Sequence, residues 1–251
     1  MSTPVELVVL LGVGILAGIV STVASLASIV SYPALLALGL PPVSANVTNT
    51  VALMFTGLGA AAGSRPELAG QGRRVLRLGL LTAAGGGVGA ALLLLTPSAT
   101  FEYAAPVLIA VGSIVILRPP VPAAGAAVTD REHGWLPRLA VFAVAIYIGY
   151  FGAAGGILLL AVLIRMLRQS LARTNAVKNV ISGLANAVAG IGFAIFGPVR
   201  WAAVVPLAAG FLIGGWAGPW LVRRLPARGL RVVVGICGLA LAIRLGVSAY
   251  G

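Results

Sequence analysis

The chain has 251 residues, 60% of them hydrophobic and 9% charged, with a mean hydropathy of +1.08. Charged residues make up about 25% of an ordinary globular domain, so this composition excludes a water-soluble fold and points to an all-α polytopic membrane protein. The formal net charge of +12 does not mark a nucleic-acid binder, because 16 of the 17 basic residues are arginines spread through short loops rather than gathered on one face or tail.

The first apolar stretch, 5–31, has no basic leader and is too long for the core of a signal peptide; it is expected to stay as a membrane segment. Within 5–40 lies "STVASLASIVSYP", a run of small residues where a helix can break and turn back; Ser25, Ser28 and Ser31 are its polar members. Apolar segments follow at 46–63, 75–95 and 102–117. Then comes the one long polar connector, "RPPVPAAGAAVTDREHGWLPR" at 118–138. It divides an N-terminal membrane repeat, 1–117, from a C-terminal one, 138–251, with 118–137 as a cytoplasmic linker. The segment 135–164 contains "GYFGAAGG", a second predicted break, and is followed by 175–197, 201–222 and 229–248.

The halves share a register. Asn46, Asn49 and Thr50 fall on Asn175, Lys178 and Asn179 at an offset of 129, which also sets Gly85 and Gly89 on Gly214 and Gly218. Their loop charges are opposite: Arg65, Arg73 and Arg74 in the first half face Arg200 alone in the second. The uncharged connectors at 40–45 and 96–101 correspond to basic ones holding Arg165, Arg168 and Arg173, and Arg223, Arg224, Arg228 and Arg231. By the positive-inside rule, equivalent loops lie on opposite sides of the membrane, the signature of two inverted-topology repeats. Inversion requires an odd number of passes per half. The expected fold is therefore a broken or re-entrant hairpin followed by three transmembrane helices in each repeat, 8 to 10 membrane segments in all. Both termini are predicted on the non-cytoplasmic side.

Unpaired backbone at a break is tolerated in a membrane only against protein or a watery cavity, and carriers built from inverted repeats bind substrate at such breaks. N–H groups there favour an anion. Asn175 and Asn179 share a helical face, Asn186 continues nearly the same stripe, and Lys178 lies beside them. Two readings stand side by side: ammonium and amide donors replacing an oxyanion's hydration shell, or asparagines joining helices while Lys178 snorkels. The candidate substrate-binding set is Ser28, Asn46, Asn49, Thr50, Gly152, Gly155, Gly156, Asn175, Lys178 and Asn179. Gly85-x-x-x-Gly89 and Gly214-x-x-x-Gly218 read as close-packing motifs, and Pro33, Pro106 and Pro206 as helix starts or kinks. Cys237 reads as a small core residue and His133 as a solvated linker residue. No acid sits in the middle of an apolar run and no nucleotide-binding motif is present, so neither a proton relay nor ATP-driven pumping has a carrier here. Expulsion of an anion needs neither, since one negative charge leaving a negative interior gains about 2.3 kcal/mol per 100 mV.

"GYFGAAGGILLLAVL", "ARTNAVKNVISGLANAVAG" and "GPVRWAAVVPLAAGFLIGGWAGPWLVRRLPARGLR" together make the chain resemble the TauE/SafE family of membrane permeases. In the first half "SLASIVSYPALLALGLPPVSANVTNT" stands where members often carry a glycine cluster. The resemblance covers nearly the whole chain. It implies a non-enzymatic permease of the cell's inner (cytoplasmic) membrane, without cofactor or metal, that moves sulfite or an organosulfonate, with export by alternating access. Its partners are a small anion and the lipid bilayer, with no nucleic acid; a homo-oligomer is compatible with all of this. The rival readings are a carrier or flippase for another anion, such as a lipid-linked phosphate, and a non-transporting partner subunit.

Overall fold

The structure is a computed structural model that describes residues 4–24, 26–117, 134–152 and 155–222, together with 236, 239–240 and 242–247. The linker with His133, Ser25, the basic connector around Arg223–Arg231 and Cys237 lie outside the described residues. All regular structure among the described residues is helical. In chain order it runs α1 (Pro4–Ala24), α2 (Ala27–Ala37), α3 (Pro42–Gly63), α4 (Arg65–Leu68), α5 (Gly72–Leu95), α6 (Ser98–Leu117), α7 (Trp135–Tyr150), α8 (Gly155–Met166), α9 (Leu171–Phe196) and α10 (Trp201–Val222). Residues 242–247 are helical too.

The small-residue stretches end helices where the sequence placed breaks. The 5–31 segment divides at 25–26 into α1 and α2, and 135–164 divides at 151–154 into α7 and α8. Gly152 takes φ +73°, a conformation that a residue with a Cβ adopts only under strain. At 11, 16 and 12 residues, α2, α7 and α8 span about 16, 24 and 18 Å, each short of a ~30 Å hydrocarbon core. Among the described residues four helices are long and apolar enough to cross: Pro4–Thr22, Gly72–Leu95, Leu171–Phe196 and Trp201–Leu221. The 22-residue α3 is long enough as well, yet buries Asn46, Thr48, Asn49, Thr50 and Thr56. Leu76, Leu80, Leu95, Leu139, Ile195, Phe196 and Val205 are exposed meanwhile. Polar residues inside and large apolar ones outside invert the pattern of a soluble protein, and the chain is a multi-pass membrane protein. The connector expected as a basic loop holds one extra helical turn, α4, opened by Pro66 and tied down where Gln71 Nε2 donates to the Glu67 carbonyl at 2.8 Å. Pro33, Pro106 and Pro206 all fall inside helices rather than at their starts.

Small residues set how the long helices pack. A Cβ on Gly14 would lie 2.5 Å from the Leu207 carbonyl oxygen, and one on Gly18 would lie 2.9 Å from that of Phe211, so α1 and α10 touch backbone to backbone. Gly85 and Gly89 press α5 onto α7 in the same way, against Ala145 and then Ile146 and Tyr150. The GxxxG pairs are thus close-packing surfaces. The order of these contacts gives direction: 14, 18 and 22 meet progressively later residues of α10, so α1 and α10 are parallel. Gly59 and Gly63 likewise run with α10, while Thr82, Gly86 and Gly87 of α5 run with Ile181, Ala185 and Val188 of α9. Between α3 and α9 the order reverses: Gly57 meets Gly183, whereas Val51 meets Gly190. The bundle is two sets of parallel helices, α1–α10–α3 and α7–α5–α9, joined through the antiparallel α3–α9 contact.

Three apolar clusters fill it. One gathers Leu10, Tyr32, Val51, Phe101, Phe193 and Phe211; a second gathers Leu78, Val141, Ile148, Leu159, Val177 and Ile181. A third, small one packs Val20, Leu26 and Ile29 with Ile157, bringing the first break against the helix that leaves the second.

Candidate functional site

A broken helix leaves carbonyls at one stub and N–H groups at the other, and each needs a partner away from water. Asn46, near the start of α3, donates its amide to the Tyr150 carbonyl at the end of α7 at 3.1 Å. Asn175, near the start of α9, donates to the Thr22 carbonyl at the end of α1 at 2.9 Å. Each half thereby caps a carbonyl at the other half's break. Asn46 is 1% exposed and Asn175 is half-buried; the Asn175 Oδ1 has no protein hydrogen-bond partner.

Asn49, about two turns inside α3, joins two serines of α2: Ser31 Oγ donates to Asn49 Oδ1 at 2.6 Å, and Asn49 Nδ2 donates to Ser28 Oγ at 3.2 Å. Thr50 Oγ1 donates back to the Asn46 carbonyl at 3.0 Å, and the Asn179 carbonyl accepts from Ser182 Oγ at 3.2 Å. Thr48 Oγ1 accepts from the Arg200 N–H at 3.0 Å and Ser44 Oγ donates to the Pro198 carbonyl at 2.7 Å, pinning the α9–α10 connector to α3. At the opposite end Arg173 Nη2 donates to the Ala69 carbonyl at 2.8 Å, and Arg74 Nη1 reaches Gln169 Oε1 at 3.0 Å, pinning the α4 connector to the start of α9.

A cavity of about 40 Å³ lies where the two breaks meet, room for on the order of three waters. One side is formed by Ser21, Ala27 and Ser28 of the first hairpin, the other by Ile148, Phe151, Gly152 and Gly156 of the second. Leu53 of α3 closes it, and α9 contributes Lys178, Ser182 and Asn186. These last three are spaced i, i+4, i+8 and form one helical stripe. Lys178, 1% exposed, is the only charged residue of the lining among the described residues. The starts of α2, at Ala27 and Ser28, and of α8, at Gly156, border the same cavity, so the positive ends of two helix dipoles lie beside the lysine. The Phe151 ring is fixed edge-on by Tyr32 and Phe101, with both centroid distances 5.6 Å.

Of the residues singled out in the sequence, the structure brings Ser28, Gly152, Gly156 and Lys178 together on the cavity wall. Asn46, Asn49, Thr50, Asn175, Asn179 and Gly155 do not line it. Asn46 and Asn175 join the breaks, Asn49 braces α2, and a Cβ on Gly155 would sit 2.6 Å from Ile148 Cγ1. Ser21, Ser182, Leu53, Ile148 and Phe151 were not singled out as site residues in the sequence; the signal for Ser182 was its place one turn beyond Lys178 and one before Asn186. The cavity is a small chamber that brings one buried lysine, serine hydroxyls and the starts of two helices together, groups whose chemistry suits an oxyanion. A family model described as "Sulfite exporter TauE/SafE" matches residues 10–245. No curated protein and no solved structure matches the chain.

Proposed function

The chain belongs to the TauE/SafE family, a family of membrane transporters, and from that premise we propose that it carries a small sulfur oxyanion, sulfite or an organosulfonate, out across the cytoplasmic membrane by alternating access. The observation that carries this reading is the cavity at which both helix breaks, two helix N-termini and Lys178 converge. The two parallel helix sets support an inverted repeat. Pairing α1 with α7, α3 with α9 and α5 with α10 matches every helix of one set to one of the other, and α3 and α9 run oppositely. In this reading the α1–α2 and α7–α8 hairpins are re-entrant, the anion binds between them, and the halves rock about the α3–α9 contact. Lys178 and Ser28 donate to the oxyanion, Gly152 and Gly156 bring backbone close to it, and Asn46, Asn49, Thr50, Asn175 and Asn179 hold the walls. The membrane potential drives the anion outward without a coupled ion.

Sulfite efflux from liposomes containing purified protein tests the proposal. Lys178→Ala is expected to lower flux at least ~10-fold, as loss of a buried charged donor does, while the protein stays folded. Undiminished flux from the folded variant would remove Lys178, and with it this cavity, from the transport path.

A further inference from the structure

The two halves treat one position differently. The register that pairs Asn46 with Asn175 pairs Asn49 with Lys178. Both side chains are buried about two turns inside α3 and α9. Lys178 borders the cavity, whereas Asn49 stands behind its wall, bonded to Ser28 and Ser31 at 3.2 and 2.6 Å. Two equivalent lysines would give the chamber two positive charges; the chain supplies one.

Other charges at the site nearly cancel. The starts of α2 and α8 each bring about half a positive charge to the breaks, and the ends of α1 and α7 bring about half a negative charge each. Among the described residues, no acid and no arginine lies in the lining. A guest with one negative charge therefore meets one ammonium, while a guest with two leaves one charge uncompensated in a chamber of about 40 Å³ walled partly by Leu53, Ile148 and Phe151.

We propose that this cavity selects singly charged oxyanions over doubly charged ones, a sulfonate or hydrogen sulfite rather than sulfate, and that Asn49 sets this choice by occupying the position where a second lysine would sit. The inference rests on the anion-carrier reading above and sharpens it to one charge class.

Methanesulfonate and sulfate are close in size and shape and differ by one charge, so they are the probes. Purified protein in detergent is titrated with each sodium salt at matched ionic strength, and thermal stabilisation is followed. Lys178→Gln serves as the blank, because sulfate stabilises many proteins without binding a site. Saturable stabilisation by methanesulfonate at a concentration at least ~10-fold below that needed for sulfate is expected, and Asn49→Lys is expected to reverse the order. Should Asn49→Lys not fold, the wild-type ratio alone decides. Sulfate binding as tightly as methanesulfonate, or more tightly, overturns the charge selection and leaves the carrier reading standing. Stabilisation by neither anion beyond the Lys178→Gln blank overturns both.

Discussion

At the α1–α2 break the chain is stitched by side chains, with Ser31, Asn49 and Ser28 in one hydrogen-bonded run. At the α7–α8 break, counting from the carbonyls that the asparagines cap (Thr22 and Tyr150), Ser28 and Ser31 fall on Gly156 and Leu159, and in the helices that follow the offset of 129 sets Asn49 on Lys178. That break turns through the backbone instead, with Gly152 at φ +73° and Phe151 held between Tyr32 and Phe101. Related segments have thus divided the work. Where the first spends its polar groups on itself, the second replaces them with glycine and a lysine, and the space this leaves is the cavity. A single binding chamber at a two-part junction needs that inequality: two stitched breaks would leave no donors for a guest, and two glycine breaks would leave neither wall braced.

The amide caps are the feature the breaks share, and removing one is expected to have the largest effect on stability. Asn46→Ala leaves the Tyr150 carbonyl without its donor beside the break, costing about 2 kcal/mol. Asn175→Ala is expected to cost about 1 kcal/mol, because the half-buried Asn175 side chain gives up less packing than Asn46, which is 1% exposed. Unfolding midpoints of the two variants in detergent should rank in that order. Equal midpoints would mean that the caps are interchangeable and that the inequality of the halves ends at the breaks themselves.

Next in size is the turn at the second break. Gly152→Ala places a Cβ at positive φ and 2.9 Å from the Ile148 carbonyl oxygen, for a cost of about 1–2 kcal/mol. Among the described residues the first break has no such requirement: Leu26 sits at φ −131°, open to any residue, and Ala27→Gly there should cost no more than about 1 kcal/mol. A lower unfolding midpoint for Gly152→Ala than for Ala27→Gly checks that only the second break depends on glycine geometry.

Much of this was legible in the sequence. Small residues let a helix end and turn back without steric cost, and both breaks fall within the quoted stretches, although a similar run at 83–87 stays helical and serves close packing instead. The shared register was readable because Asn46 and Asn175 stand out against an apolar background. What the sequence did not contain was the partner of each amide. A side chain's periodicity tells which stripe it lies on, but the carbonyl it reaches belongs to a helix 104 or 153 residues away in the chain. Asn46 and Asn175 therefore read as ligands or as bonds between helices, and in the structure each donates to a carbonyl of another helix. The apolar members of the lining, Leu53, Ile148 and Phe151, carry no chemical signal at all; only their position at the junction marks them.

The smallest expected effect comes from the stitch itself. Ser31 Oγ has one proton and two acceptors within reach, Asn49 Oδ1 at 2.6 Å and the Ala27 carbonyl at 2.9 Å. The shorter contact marks Asn49 as the main acceptor, since a hydroxyl donates to one partner at a time. Ser31→Ala should then cost about 1 kcal/mol, and Ser28→Ala combined with it should cost less than the sum of the two, because both act through Asn49. Ser31 lies outside the cavity lining, so sulfite flux should change by no more than about 2-fold, against the loss expected for Lys178→Ala. If flux instead fell as far as it does without the lysine, Ser31 could not be a passive brace and would have to be counted, with Ser28, as part of the binding surface.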